Sequence, residues 1–128
     1  MWFRLCFVFC FIFLRAYGES LLRKAQPLST SSTFDPSIHS IYDAVDAWCT
    51  NSAIAESTYG HISNWNTAGI TDMTELFNGD RNSNCGAFNE NINKWDVSSV
   101  TNMDRMFHGA SSFNQPLDSW DVSSVTNM

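Results

Sequence analysis

The sequence WDVSSVTNM occurs twice, at residues 95–103 and at residues 120–128, and all nine positions are identical. A divergent copy, WNTAGITDM, occupies residues 65–73 and keeps the Trp, the Thr and the Met. The later copies begin 25 residues apart and the earlier copies 30 residues apart. Because a unit of this size cannot bury its Trp, Met and Phe side chains alone, the repetition predicts units that stack on one another.

The longer step between the first two copies comes from an insertion that the sequence locates. Phe77 and Phe88 are eleven residues apart, whereas the equivalent Phe107 and Phe113 are six residues apart. The additional residues therefore fall within residues 80–85, and the local surplus of Asn and Gly is typical of a loop.

Each repeat predicts a short helix followed by a short extended segment. Thr101, with Asp104 three residues later, is close to a helix-capping box. Apolar residues then recur every three or four positions for about two turns, and the helix is expected to end near Gly109. The extended segment falls at residues 117–120. The apolar positions of the predicted helix are Met103, Met106, Phe107 and Ala110.

Two other repeated positions each have two interpretations. Asn89 and Asn114 follow a Phe at the same place in consecutive units, and they are either surface turn residues or a side-chain ladder that bonds the neighbouring backbone. The column of Trp65, Trp95 and Trp120 is either core or, if exposed, a stacking platform for sugars. Its regular position beside Leu or Ile favours the core.

The string FNQPLDSWDVSSVTNM, together with MFHGASSFN, resembles the repeat of BspA-type leucine-rich-repeat surface proteins. The resemblance covers residues 62–128, and residues 44–65 are similar to the segment that precedes such repeats. With the repeat pattern, it predicts an α/β fold: a short leucine-rich-repeat-like solenoid with a helical N-terminal cap, truncated at the C-terminus. It implies a non-enzymatic secreted or surface protein, often supposed to act in adhesion, and it brings no catalytic residues.

The N-terminus has the three-part layout of a secretory signal peptide. Arg4 precedes an apolar run at residues 5–14, and the small residues Ala16 and Gly18 predict cleavage before Glu19. The apolar run is too short for a membrane span. The predicted organisation is a signal peptide at 1–18, a flexible linker at 19–34, a helical cap at 35–61 and repeats at 62–128, divided into 62–91, 92–116 and a partial unit at 117–128.

Two helices are expected in the cap. Asp35-Pro36 predicts the start of an amphipathic helix of about three turns. A second helix is expected from Ala53 to Tyr59, with Ser52 as a cap and Gly60 as the stop. The apolar stripe of the first helix comprises Ile38, Ile41, Tyr42, Val45 and Trp48.

The mature chain keeps two cysteines, Cys49 and Cys85, because Cys6 and Cys10 leave with the signal peptide. In an oxidising compartment an even pair predicts a disulfide, although two free thiols are an alternative. The bridge would connect the cap to the inserted loop.

Charge and motifs exclude several functions. The chain has a net charge of −6, so a nucleic-acid partner, which requires a basic face, is not expected. His39, His61 and His108 stand apart from one another, and the common catalytic and phosphate-binding motifs are absent from the sequence. Asp96 and Asp121 lack the clustered oxygens that calcium needs. We therefore expect no enzyme activity, no cofactor and no metal.

These observations predict a secreted or cell-surface repeat protein that mediates adhesion or protein–protein interaction through the solenoid surface. Its partner is a macromolecular surface, either protein or glycan, and the mature chain is expected to have no membrane span. The candidate partner-binding residues are Lys94, Arg105 and His108, which occupy non-core repeat positions. The alternatives are a carbohydrate-binding module with exposed Trp rings and a structural component of a wall or matrix.

Overall fold

The computed structural model describes residues 33–128, which contain two α-helices, α1 (Ile41–Thr50) and α2 (Ser52–Tyr59). Two short 3₁₀ helices follow, at Ile62–Asn64 and Ser83–Ala87. The predicted signal peptide and the predicted linker as far as residue 32 lie outside the described residues. Within residues 33–128, no helix has the length and apolar character needed to cross a bilayer.

Helix α1 begins later than the sequence predicts. Its N-cap is Ser40, whose hydroxyl accepts a hydrogen bond from the Asp43 N–H at 3.4 Å. Asp35 instead accepts bonds from the N–H and hydroxyl of Ser37, so it closes a turn of its own. Such local bonds compete with helix formation. The predicted helix start at Asp35-Pro36 is therefore wrong, and Ile38 is 73% exposed instead of lying on the buried stripe.

Helix α2 follows α1 after a single residue. Asn51, and not the predicted Ser52, is its cap, because the Asn51 side chain accepts a bond from the Ile54 N–H at 3.2 Å. The helix ends at Gly60, as predicted, where φ is 71°. Phe34, the last residue of the predicted linker, is only 1% exposed and stacks on Trp65 with ring centroids 5.0 Å apart.

The predicted α/β leucine-rich-repeat solenoid is wrong. Residues 33–128 contain no β-strand, and the only β-type pairing between the repeats is two isolated parallel bridges, Asp72 to Asn102 and Asn102 to Asn127. On either side of Asn102 the chain enters turns, so the pairing does not extend into a strand. One bridge per unit is too little to build a sheet.

The two-turn helix predicted from Thr101 to Gly109 is also absent, and the segment forms turns. Arg105 and its counterpart Glu75 have φ values of 51° and 55°, a left-handed conformation that interrupts an α-helix. Backbone groups that a helix would pair internally are used between units instead: the Phe77 N–H donates to the Met106 carbonyl at 2.8 Å. The apolar spacing therefore reflects a buried turn and not a helix.

Buried aromatic rings of successive units lie against one another. Trp65 and Trp95 stack with centroids 6.0 Å apart, and Phe77 stacks on Phe107 at 5.4 Å. The Trp95 indole N–H donates to the Ile62 carbonyl at 2.8 Å, and Trp120 donates to the equivalent Ile92 carbonyl at 3.1 Å. This repeated bond fixes each indole on the preceding unit.

The Asn side-chain ladder is confirmed. The Asn89 side-chain oxygen accepts a hydrogen bond from the Asn114 N–H at 2.8 Å, across 25 residues of sequence. It also accepts from the Gln115 side-chain amide at 3.2 Å. An exposed polar side chain thus connects one unit to the backbone of the next.

Candidate functional site

The turn at residues 103–108 forms one wall of a cavity of about 600 Å³. Most of the lining is apolar, and it comes from the second repeat and from the residues that follow it. The apolar lining residues are Met103, Met106, Phe107, Leu117, Trp120, Val122 and Met128.

The base of the cavity is held in place by aromatic contacts. Phe107 lies between Phe77 and Phe113, with ring centroids 5.4 and 4.4 Å away. Trp120 is held by its bond to the Ile92 carbonyl. Because these rings are fixed by the core, the apolar base is preorganised and does not need to fold around a ligand.

Two of the predicted partner-binding residues, Arg105 and His108, stand at the rim together with the Asp104 carboxylate. Arg105 and His108 line the cavity with side chains that are 65% and 57% exposed. Each faces a carboxylate of the preceding unit: the Arg105 guanidinium lies 3.8 Å from Glu75, and the His108 imidazole lies 3.3 Å from Asp80. Exposed pairs of this kind contribute about 0–1 kcal/mol, so a competing carboxylate can replace the partner.

Lys94, the third predicted binding residue, is exposed but does not line this cavity. The structure therefore brings Arg105 and His108 together and leaves Lys94 on a different part of the surface. Phe107, which forms part of the base of the cavity, was predicted on the apolar face of a helix, and Trp120 was predicted in the core column.

The preceding unit shows what covers an equivalent surface. Met73, Leu76 and Phe77 correspond to Met103, Met106 and Phe107, and all three are fully buried. They are covered by the next unit of the same chain, as the stacking of Phe77 on Phe107 shows. A surface of this composition therefore accepts Met and Phe side chains carried on a backbone that can form hydrogen bonds.

The predicted disulfide between Cys49 and Cys85 is confirmed, and the two Cα atoms lie 4.9 Å apart. It connects α1 to the inserted loop. A salt bridge that the sequence did not reveal holds the same two elements, because Arg81 donates two hydrogen bonds of 2.7 Å to the Asp46 carboxylate. The Asn82 amide adds a third bond to Asp46, at 3.0 Å.

The charge of Asp46 makes this connection sensitive to acid. Partial burial alone would raise the pKa of the Asp46 carboxyl, but hydrogen bonds from Arg81 and Asn82 and the Arg81 charge hold the pKa below its ordinary value. A lowered pKa in the folded state means that the stabilisation is complete at neutral pH. The stabilisation is lost as the pH falls below the pKa of Asp46 in the unfolded chain, about 4, and then through its lower pKa in the folded state.

We expect Asp46→Asn to lower the free energy of unfolding by up to about 1 kcal/mol at neutral pH, because the pair is partly exposed. The difference from the unmodified protein should shrink as the pH falls below about 4. Urea denaturation across this pH range measures it. The exposed Asp118→Asn is the matched control, because it makes the same charge change away from α1 and the inserted loop. A difference that grows in acid would contradict the assignment.

The remaining candidate groups lie in separate places. No cluster of three or more His, Cys, Asp or Glu side chains within residues 33–128 has the geometry to hold a metal ion. Hydrogen bonds from the side chain and N–H of Ser98 lower the pKa of Asp96, and Ser123 acts in the same way on Asp121. These two carboxylates therefore serve as turn caps.

A family model described as "Mycoplasma protein of unknown function, DUF285" matches residues 39–128, which is more than two thirds of the chain. No curated protein and no solved structure matches the chain. The family match spans both helices of the cap and all of the repeats. The chain therefore belongs to the DUF285 family.

Proposed function

We propose that this protein is a secreted or cell-surface repeat protein that mediates adhesion or protein–protein interaction through the exposed surface of its repeats. The relation of the DUF285 family to BspA-like surface repeat proteins supports this proposal. The resemblance of the WDVSSVTNM repeats to BspA-type proteins favours the same function.

The observation that carries the proposal is the apolar cavity with Arg105 and His108 at its rim. Its volume of about 600 Å³ is in the range of sites that bind a ligand or an anchoring side chain. An apolar base whose rim carries Arg105 and His108 beside the Asp104 carboxylate favours a protein segment that carries Met or aromatic side chains and a carboxylate placed to meet Arg105. Inside the chain, Met and Phe side chains already cover the equivalent surface of the preceding unit.

The carbohydrate-binding alternative predicted from the sequence requires exposed Trp rings. Trp65 and Trp95 are only 4% and 2% exposed, so they offer no stacking platform. Their indole N–H groups are also occupied by backbone carbonyls, which leaves no polar edge for a sugar. Of this column only Trp120 is half-buried and lines the cavity, so a glycan cannot stack along the column, and the cavity favours a protein partner.

A synthetic peptide in which Phe and Met alternate with Glu tests this proposal. We expect it to bind the protein and to change the Trp fluorescence, because Trp120 lines the cavity. Arg105→Glu should weaken binding about tenfold or more, since it replaces an attraction by a repulsion at the rim. Fluorescence titration at low ionic strength measures the dissociation constants.

Lys94→Glu is the matched control, because it makes the same charge change at an exposed position outside the cavity. It should weaken binding less than threefold, through general electrostatics alone. Equal losses for the two variants would show that the peptide responds to net charge, and the proposed site would be wrong. Labelling of intact producing cells with a reagent that does not cross membranes tests the location, and an unlabelled protein would contradict it.

A further inference from the structure

A second cavity, of about 330 Å³, is lined by the end of α1, the start of α2 and residues of the inserted loop and its continuation. It is distinct from the apolar cavity, and the proposed function does not use it. Polar side chains dominate the lining. They are Thr50, Asn51, Ser52, Asn84, Asn89 and Glu90.

Trp48 also lines this cavity, and its indole differs from those of Trp65, Trp95 and Trp120. Each of the other three donates its N–H to a backbone carbonyl. No residue within 33–128 accepts a bond from the Trp48 N–H, although Trp48 is only 5% exposed. Every fully buried polar side-chain atom of the described residues has a partner, so the Trp48 indole nitrogen is not fully buried.

Several other groups in the lining have hydrogen-bonding capacity to spare. The Glu90 carboxylate is half-buried and makes no hydrogen bond or ion pair with any residue of 33–128. Asn51 and Asn89 use their side-chain oxygens within the protein, at Ile54 and Asn114, and their amide N–H groups remain available. The lining residues thus include unpaired donors, the Trp48 N–H and the two amides, and an unpaired strong acceptor, the Glu90 carboxylate.

The charges around the cavity favour a neutral ligand. No Lys, Arg or His lies in its lining, so an anion would meet the Glu90 carboxylate without a cationic partner. A cation would find one carboxylate only, next to the start of α2, where the helix dipole opposes positive charge. A neutral molecule that both donates and accepts hydrogen bonds satisfies all of these groups.

We propose that this cavity binds a neutral carbohydrate, with the Trp48 N–H and the Asn amides donating to sugar oxygens and Glu90 accepting from a sugar hydroxyl. Each hydroxyl both donates and accepts, which matches the mixed lining. A peptide would need apolar pockets for its side chains. The cavity lacks them, because the rings of Trp48 and Phe88 are almost entirely buried.

Two connections fix the shape of this site. The Cys49–Cys85 disulfide and the Arg81–Asp46 salt bridge hold the inserted loop against α1. Because Asn84 and Cys49 both line the cavity, the insertion in the first repeat supplies part of its wall. The volume of about 330 Å³ is at the small end of ligand sites and suits one or two sugar rings.

NMR of the indole N–H resonances tests the proposal directly. Titration with methyl glycosides of glucose, galactose and N-acetylglucosamine should shift the Trp48 indole resonance with at least one of them. The indole resonances of Trp65, Trp95 and Trp120 should not shift, because their N–H groups already donate to backbone carbonyls. Sorbitol, which lacks the ring, is the ligand control and should give no saturable shift.

Glu90→Gln should weaken the binding of the responding glycoside about tenfold, since a bond to a charged acceptor is replaced by one to a neutral acceptor. Glu56→Gln is the matched control on the exposed face of α2 and should leave the affinity unchanged. No saturable Trp48 shift with any of the three glycosides would overturn the proposal. A stronger response to acetate or inorganic phosphate than to every glycoside would identify an anion site instead and would also overturn it. Either result leaves the apolar cavity and the proposed function untouched.

Discussion

Replacement of both Cys49 and Cys85 by alanine is expected to lower the free energy of unfolding by about 3–4 kcal/mol. The disulfide closes a loop of 36 residues, and its removal gives the unfolded chain back the entropy of that loop. Cys85 is fully buried, so alanine is preferred to serine, which would bury a hydroxyl group. Urea denaturation of the oxidised protein and of the double variant measures the difference.

The reduced, unmodified protein is the control for this experiment. It should lose nearly as much stability as the double variant, because both lack the same restraint on the unfolded chain. Single variants are less informative, since they leave one free thiol. A loss below about 1 kcal/mol in both cases would contradict the loop-entropy argument. It would mean that residual structure in the unfolded chain already holds α1 near the inserted loop.

Features that depend on the number and spacing of particular residues were predicted best. The disulfide followed from the count of cysteines in the mature chain. Comparison of the two Phe–Phe spacings placed the insertion at residues 80–85, and that segment comprises the end of a turn and the first half of the second 3₁₀ helix. The repetition of Asn at one position left two interpretations open, and the bond from Asn114 to Asn89 decides for the ladder. None of these features depends on the backbone conformation within a unit.

The fold class was wrong because apolar spacing does not distinguish a helix from a buried turn. Met103, Met106 and Phe107 recur at helical intervals, and all three face the core or the cavity. The left-handed conformation of Arg105 and the hydrogen bonds to the preceding unit decide the structure. Neither can be read from one unit, because both depend on how closely the units approach.

The structure brings together two of the three predicted partner-binding residues for a similar reason. Arg105 and His108 are three residues apart, so a single turn brings both to one rim. Lys94 is exposed as well but lies in another part of the repeat. Sequence spacing did not distinguish it from Arg105 and His108. The Arg81–Asp46 salt bridge joins residues 35 positions apart. Only the positions of α1 and the inserted loop in space reveal it.

Two glycines at equivalent places in consecutive units lie close together. Gly79 and Gly109 each follow the Phe of their unit by two residues, and the Gly79 N–H donates to the His108 carbonyl at 2.7 Å. A Cβ atom on Gly79 would lie 2.6 Å from the Gly109 carbonyl oxygen, which belongs to the backbone and cannot rotate away. We expect Gly79→Ala to lower the free energy of unfolding by about 1–3 kcal/mol, because the units must separate locally.

Gly86→Ala is the matched control, because its Cβ would meet the same Gly109 oxygen at 3.5 Å, an ordinary contact distance. It should change the free energy of unfolding by less than about 0.5 kcal/mol, in either direction, since alanine also restricts the unfolded chain. Urea denaturation of both variants makes the comparison. Equal free energies of unfolding for Gly79→Ala and Gly86→Ala would show that the backbones of the two units do not approach so closely. A loss confined to Gly79→Ala would show that contact between units, and not the helical propensity of any one segment, holds the repeats together.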